Sequence, residues 1–113
     1  IELNVMAKIE RFEDLPIWQE AVSLGVEVYR LTSNGILAKD YSVKDQLSRA
    51  VISISNNIAE GFEYSNNKSF ITFLQYAKGS AGELRSNLYV LKESSIIDNN
   101  EYEELSSKLV ALS

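Results

Sequence analysis

The 113 residues include no cysteine and no histidine. The first absence excludes a disulfide framework, a thiolate metal site and a cysteine nucleophile. The second removes the commonest metal ligand and the usual general base near neutral pH. Proline occurs once and glycine five times, a scarcity of helix breakers that suits long helices. No apolar run approaches the ~20 residues that a membrane-spanning helix needs. No signal peptide is visible, and the expected location is the cytoplasm. Met6-Ala7-Lys8 reads as a natural start, which would make Ile1–Val5 a cloning remnant or upstream read-through.

The remaining composition is that of one globular domain, with 45% hydrophobic and 24% charged residues. The expected division is an N-terminal extension over residues 1–13 and one helical domain over 14–113. The net charge of −5 is opposite to the basic excess of a non-specific nucleic-acid binder. It is unevenly spread. Residues 1–38 sum to −3, 39–59 to +1, 60–67 to −2, 68–92 to +3 and 93–113 to −4. Solvated helix faces account for such a pattern, and a mildly basic contact surface is the alternative.

Four segments carry a helical period. Ile17, Ala21, Leu24, Val28 and Leu31 are spaced 4, 3, 4 and 3, after a Pro16 suited to a first helical turn. Trp18, Val22, Val26 and Tyr29 widen this stripe, and Ser33-Asn34-Gly35 reads as its stop. A second helix is expected from Ser42, capped by that serine with Asp45 three residues on. It runs through Leu47, Val51, Ile54 and Ile58 to a stop at Gly61. The third has a heptad seam: Phe70, Leu74, Ala77, Ala81, Leu84, Leu88 and Leu91. Gly79 and Gly82 inside it predict a close neighbour there, since each costs about 1 kcal/mol against alanine. The fourth starts near residues 98–100 and uses Tyr102, Leu105, Leu109 and Leu112. The link over residues 33–41 holds Ile36-Leu37, expected to fold onto a bundle end or to meet a partner. The fold class is therefore all-α, an antiparallel up-and-down four-helix bundle.

Little here supports catalysis. Di-metal carboxylate bundles need Glu-x-x-His pairs, which a chain without histidine cannot supply. Ser53 and Ser80 lie on helices rather than on a strained turn, and Gly79-Ser80-Ala81-Gly82 lacks P-loop spacing. No metal or cofactor is expected. One polar row stands out: Gln46, Arg49, Ser53, Asn57 and Glu60 share a face of the second helix, and Ser80 with Glu83 forms a similar pair on the third. Three readings stay open: a solvated face, a partly buried network pairing Arg49 with Glu83 or Glu60, or a subunit interface. Phe12, Trp18, Phe70 and Phe73 fall on or beside apolar stripes, whereas Phe62 and Tyr64 are the aromatics expected to be exposed.

Three motifs carry a resemblance. They are Phe12-x-x-Leu15-x-x-Trp18-x-x-Ala21, then Gln46-Leu47-x-Arg49-Ala50-x-x-Ser53-Ile54-x-x-Asn57-Ile58-Ala59-Glu60-Gly61, then Phe70-x-x-Phe73-Leu74-x-x-Ala77-x-Gly79-Ser80-x-x-Glu83-Leu84. Together they resemble the four-helix-bundle family named for open reading frames in intervening sequences of bacterial 23S rRNA genes, over roughly Phe12 to Leu112. The resemblance implies an up-and-down bundle that assembles as a homopentameric ring. A related branch, the accessory proteins of diversity-generating retroelements, binds a reverse transcriptase and nucleic acid through a strongly basic surface. This sequence departs from that surface, because five copies at −5 each would carry −25.

The leading expectation is a non-enzymatic assembly protein that self-associates into a pentamer and offers a scaffold to a protein partner. Its polar row would order the bundle or the ring, so that Arg49→Ala should cost more than a surface change. The alternative is an RNA- or DNA-binding accessory module using Lys44, Lys68, Lys78, Arg85 and Lys92, acting with ribosomal RNA or a reverse transcriptase. An enzyme would require a deep pocket holding Glu60, Glu83 and Arg49 together.

Overall fold

The computed structural model describes residues 9–112. The Met6 start and the Ile1–Val5 remnant read from the sequence lie outside them. Four helices carry the chain: α1 (Pro16–Thr32), α2 (Tyr41–Glu63), α3 (Asn67–Glu93) and α4 (Asn99–Ala111). Among the described residues there is no strand.

Each helix start has a local cause. Pro16 opens α1 behind Leu15, which offers no side-chain cap. Asp40 caps α2 by accepting from the Val43 N–H at 3.2 Å, so the expected Ser42 cap is displaced by two residues. Asn66 caps α3 at 2.8 Å through the Ser69 N–H, and Asp98 caps α4 at 2.7 Å through that of Glu101. Such caps satisfy amide donors that a helix start leaves unpaired.

The stops are less regular. Gly35 takes the left-handed backbone after α1 with φ +61°, in keeping with the expected stop. Gly61 does not end α2, which runs on to Glu63. The turn is made instead by Ser65 at φ 56°, and Ser95 at φ 60° makes the corresponding turn after α3. A serine in that conformation carries a small steric cost and leaves no sequence signature comparable to glycine.

Antiparallel order follows from the cross-helix pairs. Gln46 meets Asn87, Ser53 meets Ser80, and Gly61 meets Phe70 and Phe73, so α2 and α3 run oppositely along their whole length. Glu27 of α1 meets Lys108 of α4. The core is the set of period-matched positions: Leu24, Val28, Leu47, Ile54, Ile58, Phe70, Leu84, Leu88 and Leu109 are all essentially inaccessible. Leu15 and Leu37 plug the bundle from its links, while Ile36 beside Leu37 is 69% exposed. Phe62, expected at the surface, is buried against Phe70 in an edge-to-face pair. Tyr64 is exposed as expected and stacks on Phe73.

The two glycines of the α3 seam have open space where a Cβ would stand. The close approach lies at Gly61, where a Cβ would come within 2.6 Å of the Phe73 Cβ. The α2–α3 hairpin therefore closes on a missing side chain of α2, not of α3.

Candidate functional site

The polar row of α2 is split by the α3 contact. Ser53 and Ser80 share a hydrogen bond at 2.8 Å between half-buried hydroxyls, and either can donate. The Asn57 amide donates to the Ser53 carbonyl at 2.7 Å and to its hydroxyl at 3.0 Å. Gln46 donates to the Asn87 carbonyl oxygen at 3.4 Å, a long contact. Gln46, Ser53 and Asn57, with Ala50, face α3, and with Ser80 and Asn87 they form a polar strip along the helix–helix seam.

Arg49, Glu60 and Glu83 do not join it. Arg49 pairs with Asp45 on its own helix at 2.9 Å, with both side chains largely in solvent. Neither Glu83 nor Glu60 is its partner, and both glutamates are exposed. The reason is angular. Arg49 and Glu60 sit about 40° or less further around α2 than Ser53, at 100° per residue, enough to clear the seam. An exposed i,i+4 pair contributes about 0.3–0.5 kcal/mol, so Arg49→Ala should cost little, contrary to the expectation of a large effect.

Of the five basic residues, three share a row. Lys78, Arg85 and Lys92 are seven residues apart on the side of α3 that faces α4. Lys92 holds its ammonium over two rings, 4.7 Å from the Tyr89 centroid and 5.1 Å from that of Tyr102. The rings pack edge to face at 5.8 Å. Tyr89 is held above its usual phenol range by a hydrogen bond to Glu93 and by that carboxylate's charge. Arg85 borders a hollow of about 410 Å³ with Gly82, Ser86, Tyr89, Tyr102 and Ser106. Lys68 lies off this row, near the start of α3, and Lys44 stands on α2.

A second surface was hidden in the first stripe. Val22, Val26 and Tyr29 do not reach the core; they are 36%, 43% and 42% exposed. On α2, Ile52 and Tyr41 are also exposed. Glu27 turns another flank of α1 toward α4, and Ser53 another flank of α2 toward α3, so these apolar residues lie on the outward sides of the two helices. Gly25 stands among them with open space where its Cβ would be. The signal was available in the sequence: the apolar positions of α1 span about 220° of arc, about twice what one buried face requires.

The groove between α1 and α4 is looser. Lys108 bridges to Glu27 at 2.5 Å and to Glu104 at 3.5 Å, and its ammonium is held above the usual lysine range mainly by the Glu27 hydrogen bond. Among the described residues the second oxygen of Glu27 is buried without a partner. No sequence spacing predicts this pair, which spans 81 residues. Among the described residues no three or more carboxylates cluster where they could hold a metal ion. No helix among them is long and apolar enough to cross a membrane.

No curated protein matches the sequence as a relative. One solved structure is similar in fold: a protein with unknown function from the S23 ribosomal protein family of Bacteroides thetaiotaomicron, 22% identical, with a TM-score of 0.76 over 85% of this chain and 90% of that one. At that identity the likeness speaks for the bundle alone. A profile of the 23S rRNA-intervening sequence proteins matches residues 13–113, nearly the whole chain. Family and fold agree with the motifs on α2 and α3, whose Ser53, Asn57, Ser80 and Gly61 make the hairpin seam. The chain belongs to the 23S rRNA-intervening sequence protein family.

Proposed function

We propose that this protein is a non-enzymatic, self-associating bundle that acts in the cytoplasm as a protein-interaction scaffold, with a pentameric ring as the assembly its family resemblance implies. One observation carries this reading: the exposed apolar side chains of Val22, Val26 and Tyr29 on α1 and of Tyr41 and Ile52 on α2. Exposed apolar side chains grouped on neighbouring helices support an interaction surface there. The polar strip of Gln46, Ser53, Asn57 and Ser80 serves a different purpose in this reading, fixing the register of α2 on α3. Glu60, Glu83 and Arg49 are left as exposed residues for the assembly or its partners.

The test is absolute mass by light scattering after gel filtration. The expected value is near five times 12.7 kDa. Val26→Lys should reduce it to one chain while leaving the helical signal and melting temperature unchanged. A native protein of single-chain mass ends the proposal.

The rival reading is an RNA- or DNA-binding accessory module. The α3 row of Lys78, Arg85 and Lys92 favours it, as does the name of the family. The net charge of −5 counts against it. Its mark would be binding to ribosomal RNA fragments that weakens steeply with salt, as counterion release requires.

A further inference from the structure

Of the eight asparagines among the described residues, one is followed by glycine. Asn34 and Gly35 stand in the link between α1 and α2, and both are exposed. Six of the others lie within helices, where the backbone is held at ψ of about −42°. The seventh, Asn66, has its side-chain oxygen engaged as the cap of α3. Asn34 instead has an extended backbone, φ −126° and ψ 156°, outside both helices. The Gly35 N–H donates to no group among the described residues, as expected at the start of the short 3-10 turn Gly35–Lys39. Nothing stands within 4 Å of where a Gly35 Cβ would be, so neither a side chain nor a neighbour shields that nitrogen.

We propose that Asn34 is a self-modification site, where the side-chain amide is converted to a carboxylate through a cyclic imide with the Gly35 nitrogen. The Gly35 nitrogen attacks Cγ of Asn34. The N–Cγ bond forms, the Cγ–Nδ2 bond breaks, and ammonia leaves with the proton that Gly35 gives up. Water then adds to one of the two imide carbonyls. Opening at the side-chain carbonyl yields an aspartyl residue. Opening at the main-chain carbonyl yields an isoaspartyl residue, whose main chain runs through Cβ and Cγ and is one carbon longer. Water is the sole co-reactant, and no redox change occurs.

The position gives the change a structural consequence. The Asn34 amide donates to the Arg30 carbonyl at 3.0 Å, beside the Ser33 hydroxyl bonded to the Tyr29 carbonyl at 2.6 Å. Both bonds satisfy carbonyls that the last turn of α1 leaves unpaired. A carboxylate cannot donate, and it places negative charge at the negative end of the helix dipole. The exposed Arg30, four residues back, offsets part of that repulsion. The isoaspartyl form also lengthens the link that seats Leu37, 3% exposed, in the bundle. Modification therefore loosens the last turn of α1 and the plug that follows it. The bond to Arg30 must open before the ring closes, so the folded protein reacts more slowly than an unfolded chain, by the worth of one exposed hydrogen bond: about tenfold or less.

The experiment holds the full chain in mildly alkaline buffer at physiological temperature, native and in urea, and samples it over days. Peptides are then read by mass spectrometry with fragmentation. The mass gain of an amide-to-acid exchange should fall on the peptide carrying Asn34, divided between aspartyl and isoaspartyl forms. The native rate should lie within about tenfold of the rate in urea. Gly35→Ala should slow the reaction about tenfold or more, because a Cβ crowds the attacking nitrogen. Asn34→Gln should abolish it, since the longer side chain closes a less favourable ring, and this variant keeps the glycine turn intact. The structural consequence is read from Asn34→Asp, which should exchange amide hydrogens faster in the last turn of α1 and melt a few degrees lower. A native rate slower than tenfold below that in urea overturns the proposal. So does earlier conversion at any other described asparagine, or a mass gain that persists in Asn34→Gln. Unchanged exchange and melting in Asn34→Asp overturn the structural consequence.

Discussion

The α2/α3 seam and the α1/α4 contact are built on opposite principles. Between α2 and α3 the contact is made of small groups: Ala50, Ala77 and Ala81, the Ser53–Ser80 hydroxyl pair and the bare Cα of Gly61. Between α1 and α4 it is made of long charged groups, with Lys108 reaching to Glu27 and hollows lined by Arg30, Leu31, Glu104 and Leu105 on one side and by Ser23 and Leu24 on the other. Small residues let backbones approach and gain dispersion along the whole length. Long side chains hold the helices apart and leave hollows between them. Chain connectivity reinforces the contrast. Only residues 64–66 join α2 to α3, whereas α1 and α4 lie at opposite ends of the described chain. The lesson is that stability is concentrated in one hairpin, and α4 is the element that opens most readily.

The sharpest break of this comparison is a cavity on each side. Ile54→Ala, on the buried face of α2, should cost about 3–4 kcal/mol in urea unfolding, and Leu105→Ala on α4 about 2 kcal/mol. Hydrogen exchange should add a second difference. Leu105→Ala should speed exchange in α4 while leaving α2 and α3 protected. Uniform loss of protection would mean the bundle opens as one unit.

Overpacking the tight seam comes next. Gly61→Ala places a rigid Cβ against the Phe73 Cβ and should destabilise by about 1–3 kcal/mol. Gly79→Ala, in open space on α3, should instead stabilise by about 0.5–1 kcal/mol. Equal melting temperatures for the two variants would refute the asymmetry between the helices.

Polar groups give smaller effects. Ser53→Ala removes the hydroxyl partner of Ser80 and one of the two acceptors of the Asn57 amide, whose bond to the residue 53 carbonyl stays, and should cost about 1 kcal/mol. Arg49→Ala removes an exposed pair and should cost about 0.5 kcal/mol or less. The reverse order would restore the buried-network reading of Arg49.

The smallest effect concerns Lys108. Its pKa is raised in the folded protein, chiefly by the Glu27 hydrogen bond. Its contribution is therefore fully present below the ordinary lysine value and is lost as pH rises through the folded one. Lys108→Met should lower the melting temperature slightly at neutral pH, and the gap should close in strongly alkaline buffer. A gap independent of pH would mean that the side chain contributes through packing alone.

Much of the bundle was legible along the chain, because a core position on a helix must recur every three or four residues wherever the helix ends up. The stripes of Leu24, Ile54, Leu84 and Leu105 identify their helices without reference to any partner. Helix ends were less legible. Asp40 outcompetes Ser42 as a cap, and Ser65 and Ser95 turn the chain where no glycine announces it. The polar row was visible as a row, but its division was not. Whether Ser53 meets Ser80 or Arg49 meets Glu83 depends on a rotation of α2 against α3 that no spacing within α2 encodes.

By itself, then, the sequence determined the number of helices, their buried faces, the lack of histidine and cysteine chemistry, and membership of the family through motifs on α2 and α3. Period and composition are local properties, and they survive any arrangement of the helices. Tertiary structure alone decided that Gly61 is the point of closest approach, that Phe62 is buried while Val22, Val26 and Tyr29 are not, and that Lys92 lies between Tyr89 and Tyr102. Each of these depends on which neighbour occupies the space beside a residue, and that is set by the packing of helices far apart in the chain.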